Sequence, residues 1–371
     1  MPEASTVLLI STGPSRRSHR LLTGGVEVCS QGNFDGQHEE RDRREAAVRN
    51  GGVLSTVDTN QRGESLTHQA LLYKSEEEFL SCTIPFIRDG LDRGDPIRVT
   101  TTDRNTRWLR AALGADARHV AFCDSSQWYR HPVRTLAAMH RTVAAVPDGQ
   151  RVRMIGEPWW TARTGQENKE WARHESLINA ALAWANAALM CTYDTRVVGR
   201  DVVTEVARTH PELAVIGGPR PSPSYADPAV FNAEADKSPL PKPPPSALRL
   251  RFSGVGQLST LRDFVTSYAT WAGAALQQVE QFVQAVDEVA TNAIEHGGRS
   301  GVLRVWTGPH TMSCEVSDTG TGLHDPLVGR LPTGRSAARG RGLWLARQLC
   351  DLVELRTSRA GTIVRLHLTL P

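Results

Sequence analysis

A proline-rich segment divides this chain into two halves with different patterns. Residues 217–247 contain the stretches Pro-Arg-Pro-Ser-Pro-Ser and Pro-Leu-Pro-Lys-Pro-Pro-Pro. Proline has no backbone N–H and fixes φ, so neither stretch can hold a helix or a central strand. We therefore predict a semi-rigid, extended linker over 217–247 with a domain on each side. A proline-recognition ligand is the alternative, and a spacer is the favoured interpretation.

The overall composition is that of a globular protein. Apolar residues make up 40% of the 371 residues, and the formal net charge of +3 is too small to argue for nucleic acid. The N-terminus has no lysine or arginine ahead of its short apolar run, so it does not have the pattern of a signal peptide. The six cysteines form no C-x-x-C pair and favour neither a zinc site nor a secreted disulfide framework. We predict a cytoplasmic protein that contacts neither nucleic acid nor membrane.

Residues 1–65 show no lasting apolar period and are rich in Gly, Ser, Arg, Gln and Glu. A segment of this kind buries too little apolar surface to offset the chain entropy that folding removes. We predict a disordered N-terminal extension, with a basic tail that contacts a partner as the alternative.

Helical and strand patterns alternate between residues 66 and 216. Apolar residues at helical spacing predict helices, and short β-branched runs between them predict strands. Strands separated by helices of about ten or more residues indicate an α/β domain with a mainly parallel sheet. The predicted helices are 76–91, 105–113, 132–146 and 167–186, and the predicted strands are 96–101, 120–122, 152–156 and 189–193.

The order of elements from residue 248 to residue 371 is different. Here the helices are grouped among mostly consecutive strands, which favours an α+β two-layer sandwich over a doubly wound sheet. The predicted strands are 248–252, 302–307, 312–316, 353–357 and 362–370, and the predicted helices are 258–273, 276–296 and 342–350.

The helix predicted over 276–296 carries the first part of a candidate site. Glu288 and Asn292 are one turn apart and share a face beside the apolar stripe. The amide oxygen of Asn292 is a hard ligand suited to Mg²⁺, and the Glu288 carboxylate can take a proton from an attacking hydroxyl. A solvated helix face is the alternative that this spacing alone leaves open. The stripe consists of Val279, Phe282, Val283, Val286, Ala290, Ala293 and Ile294.

Two glycine-rich segments complete the pattern. Asp318 follows a predicted strand and can accept a hydrogen bond from an exocyclic amine such as adenine N6, while the glycines after it let the backbone approach a base. Residues 340–343 open a helix, whose first N–H groups and dipole favour phosphate. An ordinary turn is the alternative for either segment alone. Residues 323–339 between them have the composition of a lid over phosphates, with Gly329, Gly334, Arg330, Arg335 and Arg339.

In this order and spacing, the three segments resemble the N, G1 and G2 boxes of the GHKL superfamily, which includes gyrase, Hsp90, histidine kinases and MutL. The resemblance covers roughly residues 248–371 and implies the Bergerat ATP-binding fold. It implies that Glu288 is the general base, that Asn292 holds Mg²⁺ and that Asp318 binds adenine. The other nucleotide-binding residues that it implies are Gly320, Gly322, Gly340, Arg341, Gly342, Leu343 and Thr362.

Within the superfamily, the sequence Glu-Val-Ala-Thr-Asn-Ala-Ile-Glu-His at 288–296 resembles most closely the anti-sigma-factor serine kinases of the RsbW and SpoIIAB type. This resemblance implies a kinase that uses ATP and Mg²⁺, binds a sigma factor and phosphorylates an anti-anti-sigma partner of the STAS fold. Kinases of this type are commonly homodimers. A histidine kinase would need a phospho-acceptor helix pair where the proline-rich segment lies. An ATP-binding protein without transfer and an atypical histidine kinase are the alternatives.

The first half is similar to the MEDS sensory domain of methanogens, methylotrophs and actinobacteria, from His68 to about Pro211. This resemblance implies a sensor of small molecules, including hydrocarbon derivatives, which would control the kinase half. The matching segments are His68 to Tyr73, Glu77-Glu78-Phe79-Leu80, Pro85 to Leu91, Gly156-Glu157-Pro158-Trp159, His174-Glu175 and Cys191-Thr192-Tyr193-Asp194.

Aromatic and polar side chains of this half form a candidate ligand pocket. Its members would be Trp159, Trp160, Trp171, Glu157, His174 and Cys191. The alternative is that the aromatic rings are core and the polar groups satisfy the backbone at strand ends. A metal site made of His68, His174 and Cys191 is a further alternative, for which no pair of ligands has diagnostic spacing.

Overall fold

The computed structural model describes most of the two halves that the sequence predicts. The described residues are 66–129, 132–147, 150–158, 163–323, 325, 327–330 and 341–371, and all of them fall within one compact unit that runs from Gln37 to Pro371. The extension predicted over residues 1–65 lies outside the described residues. Within the described part of the chain, no helix combines the length and the apolar composition that a membrane crossing requires.

Seven described strands of the first half form one sheet. They are β1 (Thr67–Tyr73), β2 (Ile97–Thr101), β3 (Val120–Asp124), β4 (Val152–Gly156), β5 (Ala187–Asp194), β6 (Glu212–Leu213) and β7 (Arg220–Pro221). Their order across the sheet is β3-β2-β4-β5-β1-β6-β7. The pairings from β3 to β6 are parallel, and β7 runs antiparallel to β6. The predicted mainly parallel sheet is therefore confirmed.

Helices cover both faces of this sheet. They are α1 (Glu76–Arg93), α2 (Asp103–Leu113), α3 (Ser125–Trp128), α4 (Pro132–Ala144), α5 (Gly165–Ala181) and α6 (Arg200–Thr209). Side chains of α1 and α2 pack with Leu71 and Val99 on one face, and those of α4 and α5 pack with Val152 and Met154 on the other. Because both faces are covered, β5 is buried along its whole length. The helix predicted over 167–186 is shorter, since α5 ends at Ala181 and β5 begins at Ala187.

The segment predicted as an extended linker contains a helix. α7 (Pro228–Lys237) lies between the two proline stretches, and the Asp227 side chain caps it by accepting a hydrogen bond from the Ala229 N–H. Pro228 stands in the first turn, where the missing N–H would have no helical partner. Phe231 is 5% exposed. The prediction of an extended spacer is therefore wrong for residues 228–237, because the prolines flank this helix and do not interrupt it.

The second half is an antiparallel sheet with helices packed on one face. The strands are β8 (Leu248–Ser253), β9 (Ser300–Thr307), β10 (Thr311–Asp318), β11 (Leu352–Ser358) and β12 (Gly361–Thr369), in the order β11-β12-β10-β9-β8. The helices are α8 (Leu258–Trp271), α9 (Leu276–Glu295) and α10 (Arg341–Leu349). Alternate residues of the strands, such as Cys314 and Val316, share one core with these helices. The predicted α+β two-layer sandwich is confirmed.

The apolar stripe of α9 determines which face of this helix meets the sheet. Val279, Phe282 and Val286 repeat at helical spacing and are at most 4% exposed. At the N-terminus of the helix, the Gln278 side chain accepts a hydrogen bond from the Ala275 N–H. Glu288 and Asn292 are only partly buried, which leaves their polar groups accessible at the edge of the core.

A buried cluster of charged side chains joins the two halves, and we call it the Glu170 cluster. The Glu170 carboxylate, on α5, lies 3.3 Å from Arg330 and 3.2 Å from Arg356 of the second half. Arg173, also on α5, donates a hydrogen bond to the Leu355 carbonyl of β11. Burial alone would raise the pKa of Glu170, but Arg173, Arg330 and the neighbouring arginines lower it below its ordinary value. Arg330, expected in a phosphate lid, therefore contacts the first half.

Candidate functional site

Asp318 ends strand β10 at a point where three segments of the second half meet. Its Oδ1 atom accepts hydrogen bonds from the Gly320 N–H at 2.9 Å and from the Thr362 N–H at 3.2 Å. These two bonds fix the orientation of the carboxylate. Among the described residues, no hydrogen bond ends on Oδ2, so this oxygen can accept one from an exocyclic amine.

Glycines allow the backbone to come close to Asp318. A β-carbon on Gly297, just beyond α9, would lie 2.5 Å from the Asp318 carboxyl carbon, and one on Gly320 would lie 2.7 Å from the α-carbon of Gly297. Gly322 has a φ of 80°, a conformation that other residues rarely adopt. The Leu323 N–H that follows donates a hydrogen bond to the Thr357 hydroxyl at 2.6 Å. The Asp-Thr-Gly-Thr-Gly segment is therefore packed tightly against the end of α9.

The first turn of α10 lies against the polar face of α9. A β-carbon on Gly342 would be 2.7 Å from Oε2 of Glu288 and 3.1 Å from Nδ2 of Asn292. Leu343 is 6% exposed and anchors this turn in the core, whereas Arg341 is exposed. The structure thus brings the helix start at Gly342 next to the two residues that the sequence singles out on α9. Gly340 lies outside the described residues.

Burial changes the proton affinity of the Glu288 carboxylate. The pKa of Glu288 is raised above 4.5, chiefly by burial and then by the negative charge of Asp287, while Arg341 acts in the opposite direction. A carboxylate with a raised pKa is a stronger base than an exposed one. The surroundings of Glu288 therefore increase the basicity of its carboxylate.

These side chains fit a nucleotide with its magnesium ion. Asn292 supplies an amide oxygen, Asp318 supplies a carboxylate oxygen to which no described residue donates, and α10, described from Arg341 onward, begins beside Asn292. The contacts of Gly297 with Asp318 and of Gly342 with Asn292 place all three groups around the C-terminal end of α9. Such an arrangement can bind a base at one end and phosphates at the other.

The ligand pocket predicted for the first half is only partly visible, because Trp159 and Trp160 lie outside the described residues. Trp171 is 1% exposed and packs edge-on against Tyr129. The Glu157 carboxylate accepts hydrogen bonds from Tyr73, Thr101, Thr102 and Asn105. Trp171 and Glu157 therefore match the alternative that the sequence left open, a core aromatic ring and a polar group satisfied at a strand end.

The structure brings together two of the three predicted metal-ligand candidates. Nε2 of His68 lies 3.4 Å from Sγ of Cys191, and Glu175 and His210 join them in one buried group to which His174 does not belong. Glu175 and His210 were missed. Glu175 is adjacent in sequence to His174, but neither missed residue has a diagnostic spacing to the other ligands, so the sequence carries no signal for them.

Two family models match this chain. Residues 67–211 match the model described as MEDS, the methanogen/methylotroph, DcmR sensory domain. Residues 253–368 match the model described as a histidine kinase-like ATPase domain. A comparison with curated proteins found no match.

Two solved structures resemble part of the chain. The RsbU and RsbW domains of Rv1364c from Mycobacterium tuberculosis are 20% identical over 35% of this chain and 34% of that chain, with a TM-score of 0.27. The Acinetobacter baumannii histidine kinase AdeS is 10% identical over 38% of this chain and 74% of that chain, with a TM-score of 0.21. The chain therefore spans about a third of the length of the first structure.

Proposed function

Since this chain carries a MEDS sensory domain followed by a histidine kinase-like ATPase domain, we propose that it is an anti-sigma-factor serine/threonine kinase under sensory control. In this proposal residues 66–216 sense a small molecule and residues 217–247 connect the domains. Residues 248–371 bind ATP, a sigma factor and an anti-anti-sigma partner of the STAS fold, and they phosphorylate a hydroxyl of that partner.

The contact of Gly342 with Glu288 and Asn292 is the observation that carries the kinase proposal. ATP with Mg²⁺ supplies the phosphoryl group and neutralises phosphate charge. Asn292 would hold the ion through its amide oxygen, and the first turn of α10 would bind phosphate oxygens through backbone N–H groups. Glu288, whose pKa is raised by burial, would take the proton from the partner's hydroxyl. Asp318 would orient the base through Oδ2.

The segment before the ATPase domain favours a serine/threonine kinase over a histidine kinase. A histidine kinase phosphorylates a histidine of its own chain, commonly just upstream of the ATPase domain, whereas residues 217–247 contain no histidine. The helix in this segment, α7, is packed against other elements, with Phe231 at 5% exposure. These observations support transfer to a partner.

Contacts between the two domains support sensory control. Leu327 of the ATPase domain packs against the core beside α4 and α5 of the sensory domain, and three residues later Arg330 pairs with Glu170. On α4, the Arg134 guanidinium donates a hydrogen bond to the Gln348 carbonyl of α10. Since α10 begins at the phosphate-binding turn, a shift of α4 or α5 on ligand binding would reach the site through these contacts.

The direct test is to incubate the full chain with γ-labelled ATP, Mg²⁺ and a panel of candidate STAS-fold proteins. We expect one of them to acquire an acid-stable phosphate ester on Ser or Thr. The Glu288→Gln variant, which keeps the shape of the side chain but cannot take a proton, should label that partner far more slowly. In a separate binding experiment, the chain immobilised on an affinity resin should retain a sigma factor from a panel of candidate sigma factors when ATP is present.

Other outcomes of this experiment would replace the proposal. Acid-labile label on the chain itself would identify a histidine kinase. Saturable ATP binding with no label on any partner, in wild type and Glu288→Gln alike, would identify a protein that uses ATP only to hold a partner-binding surface.

Replacement of Gly342 by alanine is expected to weaken ATP binding about 5-fold. The added methyl group would displace the ends of the Glu288 and Asn292 side chains, and because these ends can move, we expect the lower end of the usual overpacking cost, about 1 kcal/mol. Gly256→Ala is the matched control, because a β-carbon at Gly256 meets nothing within 4 Å. Titration with a fluorescent ATP analogue would measure both. Equal affinity in the two variants would show that the turn at Gly342 does not bind phosphate.

A further inference from the structure

Four potential metal-ligating side chains meet inside the sensory domain, between its sheet and the helices α5 and α6. His68 is on β1, Cys191 is on β5, Glu175 is on α5, and His210 lies between α6 and β6. Each is at most 5% exposed. One ligand atom of each residue lies within 4.8 Å of the ligand atoms of the other three. We refer to these residues as the His68 cluster.

The distances within the His68 cluster are those of a coordination sphere. Oε2 of Glu175 lies 3.8 Å from Nε2 of His68, 3.6 Å from Nε2 of His210 and 3.6 Å from Sγ of Cys191. Nε2 of His68 lies 3.4 Å from Sγ of Cys191. Ligand atoms about 2.0–2.3 Å from an ion at tetrahedral angles are separated by about 3.3–3.8 Å. Four of the six distances between ligand atoms therefore already match those of a tetrahedral site.

Hydrogen bonds on the far side of each imidazole orient the ring toward the cluster. Nδ1 of His68 lies 2.9 Å from Oδ1 of Asn179, and the Asn179 amide nitrogen donates to the Ser176 and Thr209 carbonyls. Asn179 Oδ1 is therefore an acceptor, so Nδ1 of His68 carries the proton. Nδ1 of His210 likewise donates to the Val206 carbonyl at 2.9 Å.

Both imidazoles therefore direct an unprotonated Nε2 at the same point. Nε2 of His210 is buried and has no hydrogen-bond partner among the described residues. A buried lone pair without a donor is costly, and an ion at the centre of the cluster would satisfy it. Partners on the second ring nitrogen are the usual outer contacts of metal-bound histidine.

The charges of the His68 cluster balance with a divalent cation. A thiolate and a carboxylate carry two negative charges, and the two histidines are neutral. With a divalent ion bound, the buried site would be neutral, so no uncompensated charge would be left in the interior.

From this geometry we propose that His68, Glu175, Cys191 and His210 bind one Zn²⁺ ion in the interior of the sensory domain. Two imidazoles, one thiolate and one carboxylate form a donor set that zinc accepts in tetrahedral coordination. With all four positions filled by protein, the ion has no open site for catalysis. It ties β1, β5, α5 and the segment before β6 together.

Helix α5 connects the proposed metal site to the second domain, because it carries Glu175. Glu175 and Glu170 are on the same helix, α5, little more than one turn apart. Zinc at the His68 cluster would fix α5 against the sheet, and α5 presents Glu170 to Arg330 and Arg356. Occupancy of the metal site is therefore expected to stabilise the contact between the domains.

The test is metal analysis of the full chain. After expression with added zinc and exhaustive dialysis, the wild type should retain about one Zn²⁺ per chain. After exchange to Co²⁺, it should show the intense visible bands of a tetrahedral centre and a thiolate-to-cobalt charge-transfer band. The Cys191→Ser variant should lose the charge-transfer band, and His210→Gln should bind Co²⁺ at least about 100-fold more weakly.

Two matched controls separate this site from adventitious binding. His174→Gln changes a buried histidine outside the cluster, and Cys350→Ser changes a buried thiol of the other domain. Both should keep the ion and the spectrum. Circular dichroism would establish that each variant is folded. A folded wild type that takes up neither Zn²⁺ nor Co²⁺ would overturn the proposal, as would a cobalt spectrum that Cys350→Ser abolishes and Cys191→Ser does not.

Discussion

Replacement of Glu288 by glutamine is expected to slow phosphoryl transfer to the partner by about 10²–10⁴-fold. Glutamine has nearly the same shape, so the packing of Gly342 against this side chain should persist and ATP affinity should change little. The carboxamide, however, cannot take a proton from the attacking hydroxyl. Single-turnover labelling of the partner at saturating ATP would measure the rate, and fluorescent-nucleotide titration would measure the affinity.

Glu280→Gln is the control for this prediction, because Glu280 is an exposed carboxylate on the same helix. It should transfer phosphate at the wild-type rate. If Glu288→Gln also retained that rate, Glu288 would not be the base.

The pH profile gives an independent readout of Glu288. Transfer requires the ionised carboxylate, so the rate should fall as pH drops through the pKa of Glu288, which is raised above 4.5 by burial and by Asp287. In Asp287→Asn one of these causes is removed, and the acidic limb should move to lower pH. An unchanged limb would mean that another group controls it.

Replacement of Glu170 by glutamine is expected to lower the free energy of unfolding of the full chain by about 3–5 kcal/mol. The carboxylate compensates Arg330 and Arg356, and the side chains of Glu170 and Arg330 are each 2% exposed. Without it, the arginine charges would remain buried without their anion. Urea denaturation followed by circular dichroism would measure the change.

Glu234→Gln is the matched control, since Glu234 pairs with Arg208 at the surface and should contribute less than about 1 kcal/mol. If Glu170 acts through its partners, adding Arg330→Gln to Glu170→Gln should destabilise less than the sum of the single changes. Additive effects would show that the two side chains are not coupled.

At acidic pH, Glu170 should no longer make the folded chain more stable than the Glu170→Gln variant. The neighbouring arginines hold the pKa of Glu170 below 4.5 in the folded chain. Its stabilisation is therefore complete above about pH 4.5 and is lost as pH falls through the lower, folded-state pKa. Wild type and Glu170→Gln should converge in stability in that range, whereas a purely steric effect of the substitution would leave their difference constant.

The sequence predicted the architecture because each element carries its own local pattern. The stripe of Val279, Phe282 and Val286 predicts α9 and its buried face without knowledge of any neighbour. The three segments of the candidate site, which contain Asn292, Asp318 and Gly342, lie together around the C-terminal end of α9. Whether these residues bind ATP in the predicted roles stays a prediction.

Features that depend on distant residues could not be predicted in this way. Glu170 and Arg330 are separated by 160 positions. The residues around Glu170 in the sequence do not indicate that its partner lies in another domain. The same holds for Glu175 and His210, whose place beside Cys191 follows only from the order of strands. Helix α7 was not predicted because a single buried aromatic residue, Phe231, does not produce a recognisable helical repeat of apolar residues.

α7 also determines where this protein can be divided. The helix lies inside the segment 217–247 that the sequence predicts as the linker, yet its Asn232 accepts a hydrogen bond from Arg173 on α5, and Arg208 of α6 stacks on Phe231. A chimaera that joins a different second half directly after residue 216 would remove α7 and expose the surface of the first half that it covers. The exchangeable module therefore extends to Lys237, and recombination between such proteins should be tolerated best within the second proline stretch.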